Sequence, residues 1–167
     1  RLPGKPLADI AGKPMIERVY DRVSQATKTA CTIVATDDDR VYSAVQQFGG
    51  TVMMTDPNHP TGTDRLAEVA SHYTDLDVVI NVQGDEPMID PNLIDDLARL
   101  FEEDPNLQMA TVATPLLEEE YEEPSAVKVI LNNRNDAMYF SRSLIPYPRH
   151  DFVRPPLKHI GIYAYRR

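Results

Sequence analysis

The sequence predicts an α/β fold, with a mostly parallel, doubly wound sheet and helices on both of its faces. Short apolar runs alternate with segments whose apolar residues recur at helical spacing. The clearest run is DVVINV at residues 77–82, and such a run is typical of a strand that is covered on both sides. Repeated strand–helix–strand order indicates parallel strands joined by crossover helices. Ligands of such sheets bind beyond the carboxyl ends of the strands.

The first part of the chain predicts two helices and two strands. A helix follows Pro14, a residue suited to a first helical turn, and the run at 30–35 predicts a strand. We expect one of the aspartates at 37–39 to cap the next helix, which ends at the glycine pair 49–50. Residues 51–54 then predict a second strand.

The rest of the chain continues the alternation. One helix contains residues 66–70, before the strand at 77–82, and another follows Pro91. Further strands are predicted at 109–113, 127–131, 137–140 and 160–165. Because no repeat or linker divides the sequence, we expect a single domain over residues 1–167.

Composition and charge exclude several classes of function. No apolar stretch reaches the length that spans a bilayer, so we expect no membrane partner. The net charge is −9, from 17 basic and 26 acidic side chains, which argues against a nucleic-acid partner. The single cysteine, Cys31, fits a reducing cytoplasm, and its position in a predicted strand indicates a core residue.

Two cations, Arg1 and Lys5, bracket a Leu-Pro-Gly turn before the first helix. A stiff loop of this kind can wrap a triphosphate, with arginine binding oxygens bidentately and lysine acting as a point charge. The segment is not a Walker loop, because it has one glycine and no Gly-Lys-Ser/Thr. The alternative interpretation is an exposed basic terminus.

An acidic segment, QGDEP, directly follows the strand at 77–82. A carboxylate at this edge of the sheet can hold Mg²⁺, which takes few protein ligands and shares the rest with phosphates and water. Asp85 is therefore a candidate metal ligand. The alternative is a polar turn in which Asp85 or Glu86 caps the next helix.

The segment PTGTDR at residues 60–65 precedes a helix. Free N–H groups at a helix start can receive an anion or the edge of a base. A simple cap formed by Thr63 or Asp64 needs no ligand, and Arg65 alone can be a surface charge.

Three further side chains are candidates for binding. His159 begins an apolar strand, and the default interpretation of a lone histidine is a structural one. Tyr163 lies on the same strand, where tyrosine more often packs than recognises a ligand. Arg142 follows the predicted strand at 137–140 and has many acids with which to pair. The remaining histidines show no metal-ligand spacing.

The order of these motifs resembles that of the CMP-Kdo synthetases, which couple CTP to the sugar acid 3-deoxy-manno-octulosonate (Kdo). The matching segments are RLPGKPL, PMIERV, IVATDD, HPTGTDRLAEV, VINVQGDEPMI, AVKVIL, YFSRSLIPYPR and HIGIYAYRR. The resemblance spans essentially the whole chain and implies a Rossmann-like nucleotidyltransferase fold. Sialic-acid cytidylyltransferases share this fold and the early basic loop, but not the later motifs.

The resemblance implies that the 2-hydroxyl of Kdo attacks the α-phosphate of CTP, which releases pyrophosphate and makes CMP-Kdo for lipopolysaccharide. It implies the following roles: Arg1 and Lys5 hold the CTP phosphates, Gly62 and Arg65 contact cytosine, and Asp85 binds Mg²⁺. The residues implied to bind Kdo are Gln83, Arg142, His159 and Tyr163. A cytoplasmic homodimer is implied as well.

Two segments of that family are missing from this sequence: the first strand with the start of its loop, and a C-terminal segment that supplies a second metal-binding aspartate and completes the dimer. We therefore expect an incomplete domain, inactive and marginally folded in isolation. Two neighbouring hypotheses keep the chemistry but change the acceptor to 8-amino-Kdo or a sialic acid. Hypotheses of another class are a non-catalytic nucleotide-binding module and a scaffold whose motifs are only caps and turns.

Overall fold

The structure is a computed structural model that describes residues 4–150 and 152–167. Its helices are α1 (Met15–Val23), α2 (Asp39–Gln47), α3 (Gly62–Ser71) and α4 (Pro91–Glu103). Its strands are β1 (Asp9–Ile10), β2 (Lys13–Pro14), β3 (Val34–Thr36), β4 (Val52–Met54), β5 (Val78–Asn81), β6 (Met109–Pro115), β7 (Lys128–Leu131), β8 (Ala137–Ser141) and β9 (Leu157–Arg166). The predicted α/β class is confirmed. None of the helices in the described ranges has the length and apolarity that crossing a bilayer requires.

The described residues form two compact units. The first unit contains the chain up to Ala110 together with Tyr163–Arg167, and the second unit is Thr111–Ile162. Strands β6 and β9 have residues in both units. The single domain over residues 1–167 stays a prediction.

Helices α1 and α2 of the first unit form where the sequence predicts them. In α1, Met15, Ile16 and Val19 recur at helical spacing and are buried. Helix α2 begins at a cap made by Asp38, whose carboxylate accepts the Arg40 backbone N–H at 2.8 Å. It ends before Gly49, which has a φ of 81° and so adopts the left-handed conformation that glycine favours.

Apolar faces of these helices pack into the core of the first unit. The core cluster of buried residues contains Ile16, Val41 and Val45, with Leu7, Val34, Phe48 and Val52 packed against it. Helix α4 buries Ile94 and Leu97 almost completely, whereas Leu100 is 44% exposed. Only one side of α4 therefore packs into the core.

The strand pairs are mixed in direction rather than mostly parallel. Strands β3 and β4 run parallel, with Val34 opposite Val52. In the first unit β5 pairs antiparallel with the end of β9, where Ile80 lies opposite Ala164. In the second unit β7 pairs antiparallel with both β8 and β9. The short connection from β7 to β8 explains part of this difference, because tight hairpins join only antiparallel strands.

The strand predicted at residues 30–35 is shorter and later than expected. Strand β3 covers only Val34–Thr36, and Cys31 is exposed, so the prediction of a core cysteine is wrong. Within the described sheets β3 bonds to one neighbour only, β4. Residues 30–33 line a cavity instead of packing beneath a second strand.

The second unit is built around the β7–β8 hairpin. Val129 lies opposite Phe140 in this ladder, and a bulge follows Ile130. Val129 is 4% exposed, and Ile162, at the end of the unit, is 1% exposed. The strands predicted at 109–113, 127–131, 137–140 and 160–165 are all confirmed, although β9 begins three residues before the predicted position 160.

Candidate functional site

A lysine and an aspartate meet where the loop before α1 approaches the end of β5. Lys5 lies in a 3₁₀ turn that begins after Gly4, whose φ is 72°. Its Nζ donates to Asp85 Oδ2 at 2.5 Å, and both side chains are about half exposed, at 51% and 45%. The cation predicted for phosphates and the carboxylate predicted for a metal are thus adjacent. Arg1, the other predicted phosphate ligand, lies outside the described residues.

Asp85 is not a helix cap. The cap of α4 is Asp90, whose carboxylate accepts the Asn92 backbone N–H at 3.0 Å, so the alternative of a cap at Asp85 or Glu86 is wrong. Within residues 4–150 and 152–167, no group of three acids, histidines or cysteines converges on one point. Mg²⁺ commonly takes only one or two carboxylates when phosphates and water complete its shell. Asp85 fits that donor set as a single protein ligand.

The start of α3 has a reciprocal cap and an open glycine. Thr61 Oγ1 accepts the Asp64 backbone N–H at 3.2 Å, and the Asp64 carboxylate accepts the Thr61 N–H at 3.1 Å. The cap is therefore Thr61, and the alternative of a cap at Thr63 or Asp64 is wrong. Gly62 is the first helical residue, and a Cβ built on it would meet no atom within 4 Å. Its backbone is consequently accessible to a ligand.

Arg65 is held in place rather than free on the surface. Its Nη2 pairs with Asp37 Oδ2 at 2.7 Å, and its Nη1 donates to Thr55 Oγ1 at 3.0 Å. The Thr55 hydroxyl in turn donates to the Thr36 carbonyl at 3.1 Å. The hydrogen bond from Arg65 holds the pKa of Asp37 below its usual value. Asp37 directly follows β3 and Thr55 directly follows β4. Residues at the ends of these two strands therefore fix the direction of the Arg65 guanidinium.

A cavity of about 680 Å³ in the first unit brings several predicted residues together. Gly62 and Arg65 of α3 line it, as do Gln83 and Gly84 beyond β5. Much of the remaining wall is apolar and comes from β3, β5 and the helices. Gly84 also directly precedes Asp85, so the cavity and the Lys5–Asp85 pair share one chain segment.

Tyr163 belongs to the part of β9 in the first unit. It lies opposite Asn81, two residues before Gln83. Its ring stacks with that of Tyr165, with centroids 6.1 Å apart, and burial raises the pKa of Tyr163. The structure therefore places the backbone of Tyr163 beside the end of β5. The predicted Kdo ligand Gln83 follows that strand end by two residues.

His159 lies in the second unit beside a hydroxyl and an aromatic ring. Its Nε2 is 2.9 Å from Thr111 Oγ1, and the Thr111 hydroxyl lies 2.7 Å from the Ile162 carbonyl. If the hydroxyl proton goes to that carbonyl, Nε2 is the protonated ring nitrogen and donates to Thr111. The Phe140 ring meets the imidazole edge-on at 4.9 Å, and burial lowers the pKa of His159. The structural role expected of a lone histidine is thus present.

Arg142 follows β8 in the second unit and is exposed. Its Nη1 donates to the Pro124 carbonyl at 2.6 Å, and its own carbonyl accepts from Lys128 Nζ at 3.3 Å. None of the acids in the described part of the chain forms an ion pair with it. The guanidinium therefore keeps most of its five N–H donors for a ligand.

Sequence reasoning missed the residues that hold these candidates. Asp37 directly follows a strand, as Asp85 does, although the sequence predicts for it only a helix cap. Lys128 interrupts the apolar run AVKVIL, and a charged residue inside a predicted buried strand was the available signal. Thr55 and Thr111 gave no comparable signal in the sequence.

Comparison with known proteins supports one family. A sequence profile of the cytidylyltransferase family matches residues 1–167. The 3-deoxy-manno-octulosonate cytidylyltransferase of Escherichia coli is 54% identical over 167 residues, which is 100% of this chain and 68% of that protein. The 8-amino-3,8-dideoxy-manno-octulosonate cytidylyltransferase of Shewanella woodyi is 47% identical over 171 residues, covering 100% of this chain and 70% of that protein.

Solved structures agree on the fold. A structure of CMP:2-keto-3-deoxy-manno-octonic acid synthetase complexed with CTP matches with a TM-score of 0.92 and 54% identity, over 99% of this chain and 68% of that one. This match confirms the predicted nucleotidyltransferase fold and the resemblance to CMP-Kdo synthetases. With a profile match over its whole length and relatives near 50% identity, the chain belongs to the cytidylyltransferase family.

Proposed function

We propose that the protein transfers CMP from CTP to the 2-hydroxyl of Kdo, releasing pyrophosphate, with Mg²⁺ as its cofactor. The observation that carries the proposal is the contact between Lys5 and Asp85 beyond β5, beside the cavity lined by Gly62 and Arg65. Relatives at 54% and 49% identity are named for the Kdo reaction, which supports the same conclusion.

The triphosphate of CTP is assigned to the Lys5–Asp85 cluster. Lys5 contributes a compact positive charge to the phosphate oxygens, and Arg1 is assigned the same role from the family resemblance alone. Asp85 would hold Mg²⁺, and the metal when bound neutralises charge on the phosphates. The half-exposed position of both side chains supports this assignment, because a ligand can reach them without a change in the core.

The cytosine is assigned to the start of α3. The N–H groups of Gly62 and its neighbour have no acceptor within the helix, which suits a base carbonyl. Arg65 supplies further donors, and its contacts with Asp37 and Thr55 fix it before the nucleotide binds. A preformed guanidinium loses little side-chain entropy on binding.

The sugar acid is assigned to four residues. Arg142 pairs its planar fork with the Kdo carboxylate, for which arginine has matching geometry. Burial lowers the pKa of His159 and disfavours its charged form, so we assign it to a hydroxyl group of Kdo. Gln83 and Tyr163 are assigned to the remaining hydroxyl groups.

The proposed chemistry is a displacement at phosphorus. A bond forms between O2 of Kdo and the α-phosphorus as the bond from that phosphorus to the bridging oxygen breaks. The hydroxyl proton leaves to solvent, and pyrophosphate carries away the electron pair. We assign no side chain as a general base, because the rate of this reaction class comes mainly from positioning and charge neutralisation.

The test is pyrophosphate release by the protein expressed from its complete gene, with CTP, Mg²⁺ and one sugar acid at a time. We expect release with Kdo and none with N-acetylneuraminate. The Shewanella relative makes 8-amino-Kdo the second acceptor to test. Release with that acid alone would keep the proposed chemistry, and the preference for it would then have to come from the residues assigned to the sugar acid: Gln83, Arg142, His159 and Tyr163. No release with any acid, despite CTP binding, would contradict the proposal and favour a non-catalytic nucleotide-binding module.

We also propose a homodimer formed through β8. This strand is exposed over most of its length, and Met138, Tyr139 and Phe140 are 67%, 62% and 41% exposed. Exposed apolar side chains on a strand of this kind favour pairing with another chain. Light scattering should give twice the monomer mass, and Met138→Lys should shift it toward the monomer; a monomeric unsubstituted protein contradicts this arrangement.

We place the protein in the cytoplasm, with neither nucleic acid nor a membrane as partner. The free, exposed thiol of Cys31 suits a reducing compartment, and the net charge of −9 disfavours nucleic-acid backbones. Cell fractionation tests the location, and recovery with the membrane fraction contradicts it.

A further inference from the structure

The second unit contains a fully buried lysine, Lys128. Lys128 of β7 lies opposite Ser141 of β8 and opposite Lys158 of β9, and its side chain is 0% exposed. Lysine is almost never fully buried unless its ammonium group has compensating partners. The chemistry proposed above gives Lys128 no role. We therefore infer its role from the groups that its ammonium contacts.

The partners of Lys128 are backbone carbonyls from two separate segments. Its Nζ donates to the Glu123 carbonyl at 2.9 Å and to the Arg142 carbonyl at 3.3 Å. Its neighbour Lys158 behaves differently, because it pairs with the carboxylate of Glu120. In the described part of the chain Lys128 forms no ion pair, so its ammonium ties the turn at Glu123 to the end of β8.

Two other contacts converge on the same point. The Arg142 guanidinium donates to the Pro124 carbonyl at 2.6 Å, one residue along from the carbonyl that Lys128 binds. The Ser143 backbone N–H donates to Ser141 Oγ at 3.0 Å, which tightens the turn that carries Arg142. The Arg142 carbonyl is thus held by Lys128, and one nitrogen of its guanidinium is held by the Pro124 carbonyl.

We propose that Lys128 is a positioning residue for Arg142. It fixes the backbone from which the guanidinium reaches the carboxylate of the acceptor sugar acid, without touching that substrate itself. The inference rests on the proposed role of Arg142. It predicts a selective defect, in which the acceptor binds poorly while CTP, assigned to residues of the first unit, binds normally.

The expected size follows from the geometry. Loss of the ammonium removes a donor from the Arg142 carbonyl and leaves the Glu123 carbonyl with the Ala126 backbone N–H, so the end of β8 can shift to find water or other partners. A displacement of about 1 Å at a positioned group can cost as much as about 100-fold in rate. Because Arg142 keeps its contacts with Pro124 and the turn at Ser141, we expect a smaller rise of about tenfold in the KM for Kdo.

The experiment measures KM and kcat for each substrate at saturating concentration of the other. Lys128→Met in the complete enzyme should raise the KM for Kdo about tenfold and change the KM for CTP less than about twofold. Lys158→Met is the matched control, since it removes a neighbouring lysine that does not contact Arg142, and both its KM values should stay within about twofold. In an Arg142→Ala background, Lys128→Met should add nothing further, because the two residues act as a unit.

Several outcomes would overturn the inference. A folded Lys128→Met enzyme with an unchanged KM for Kdo, an equal rise for CTP, or full additivity with Arg142→Ala each contradicts it. Should Lys128→Met fail to fold, Lys128→Gln and Ser141→Ala replace it, and unchanged Kdo binding in both contradicts the inference. If the unsubstituted enzyme prefers another sugar acid, the same variants are measured with that acid. If the unsubstituted enzyme shows no activity with any acid, that result contradicts both the proposed function and this inference.

Discussion

Replacing Asp37 with asparagine tests whether the direction of Arg65 matters for nucleotide binding. The substitution keeps the size of the side chain and removes the charge that pairs with Arg65 Nη2 at 2.7 Å. Thr55 still accepts from Nη1, so the guanidinium is loosened rather than released. We expect weaker binding of CTP with little change in the chemical step.

The magnitude follows from the exposure of the pair. Exposed ion pairs contribute about 0.2–1 kcal/mol, and hydrogen bonds to charged groups about 1.5–3 kcal/mol when they are shielded. The Arg65 side chain is 20% exposed and that of Asp37 is 39% exposed, so solvent screens much of the pair. We therefore take about 1 kcal/mol, which corresponds to about a fivefold change in an equilibrium constant.

The assay is pyrophosphate release at varied CTP and saturating Kdo. Asp37→Asn should raise the KM for CTP about fivefold and leave the KM for Kdo within about twofold. Asp38→Asn is the matched control, because Asp38 pairs with Arg40 and asparagine still caps α2. An unchanged KM for CTP in Asp37→Asn, or an equal rise in both variants, would refute the reasoning.

Three other substitutions test separate parts of the account. Gly62→Ala should leave the melting temperature unchanged or higher, since its Cβ meets no protein atom, while raising the KM for CTP; unchanged CTP binding contradicts the assignment of cytosine to Gly62. Ile94→Ala should cost about 2–5 kcal/mol of unfolding free energy in a urea titration, whereas Leu100→Ala, on the exposed side of α4, should cost less than about 1 kcal/mol; similar losses contradict the burial of α4 described above. For His159 the folded pKa lies below the ordinary value of 6.5, so the unfolded chain takes up the proton first and stability falls as the pH drops through 6.5. Between about pH 7.5 and about pH 5.5, the melting temperature of His159→Gln should therefore fall less than that of the unsubstituted protein. An equal fall in both proteins would contradict this reasoning.

The sequence was sufficient to predict the elements whose signals are local. Helix α1 follows Pro14 as expected, and α2 ends at Gly49, where the left-handed backbone marks the boundary. The same reasoning failed at Cys31, because burial depends on whether a second strand covers the run, and periodicity within the run does not contain that information. The direction of strand pairing failed for a similar reason: partners such as Ile80 and Ala164 are 84 positions apart in the numbering.

In the candidate site, too, local sequence patterns predict some residues, whereas the contacts between elements depend on the fold. Asp85 and Arg65 were identified from their places at a strand end and a helix start, which are local features. The contacts that orient Arg65 come from Asp37 and Thr55, at the ends of two other elements, and no local pattern connects them. The position of Lys128 was visible as an anomaly in AVKVIL, but its tie to the Arg142 carbonyl depends on the register of β7 and β8.

The central claim, CMP transfer to the 2-hydroxyl of a sugar acid, is tested most directly by following one oxygen atom. Kdo carrying an isotopic oxygen label in its 2-hydroxyl is incubated with CTP, Mg²⁺ and the protein expressed from its complete gene, and the products are analysed by mass spectrometry. The account predicts CMP-Kdo that retains the label between sugar and phosphorus, with unlabelled pyrophosphate. Absence of CMP-Kdo, or a labelled oxygen lost to water from the product, would contradict it.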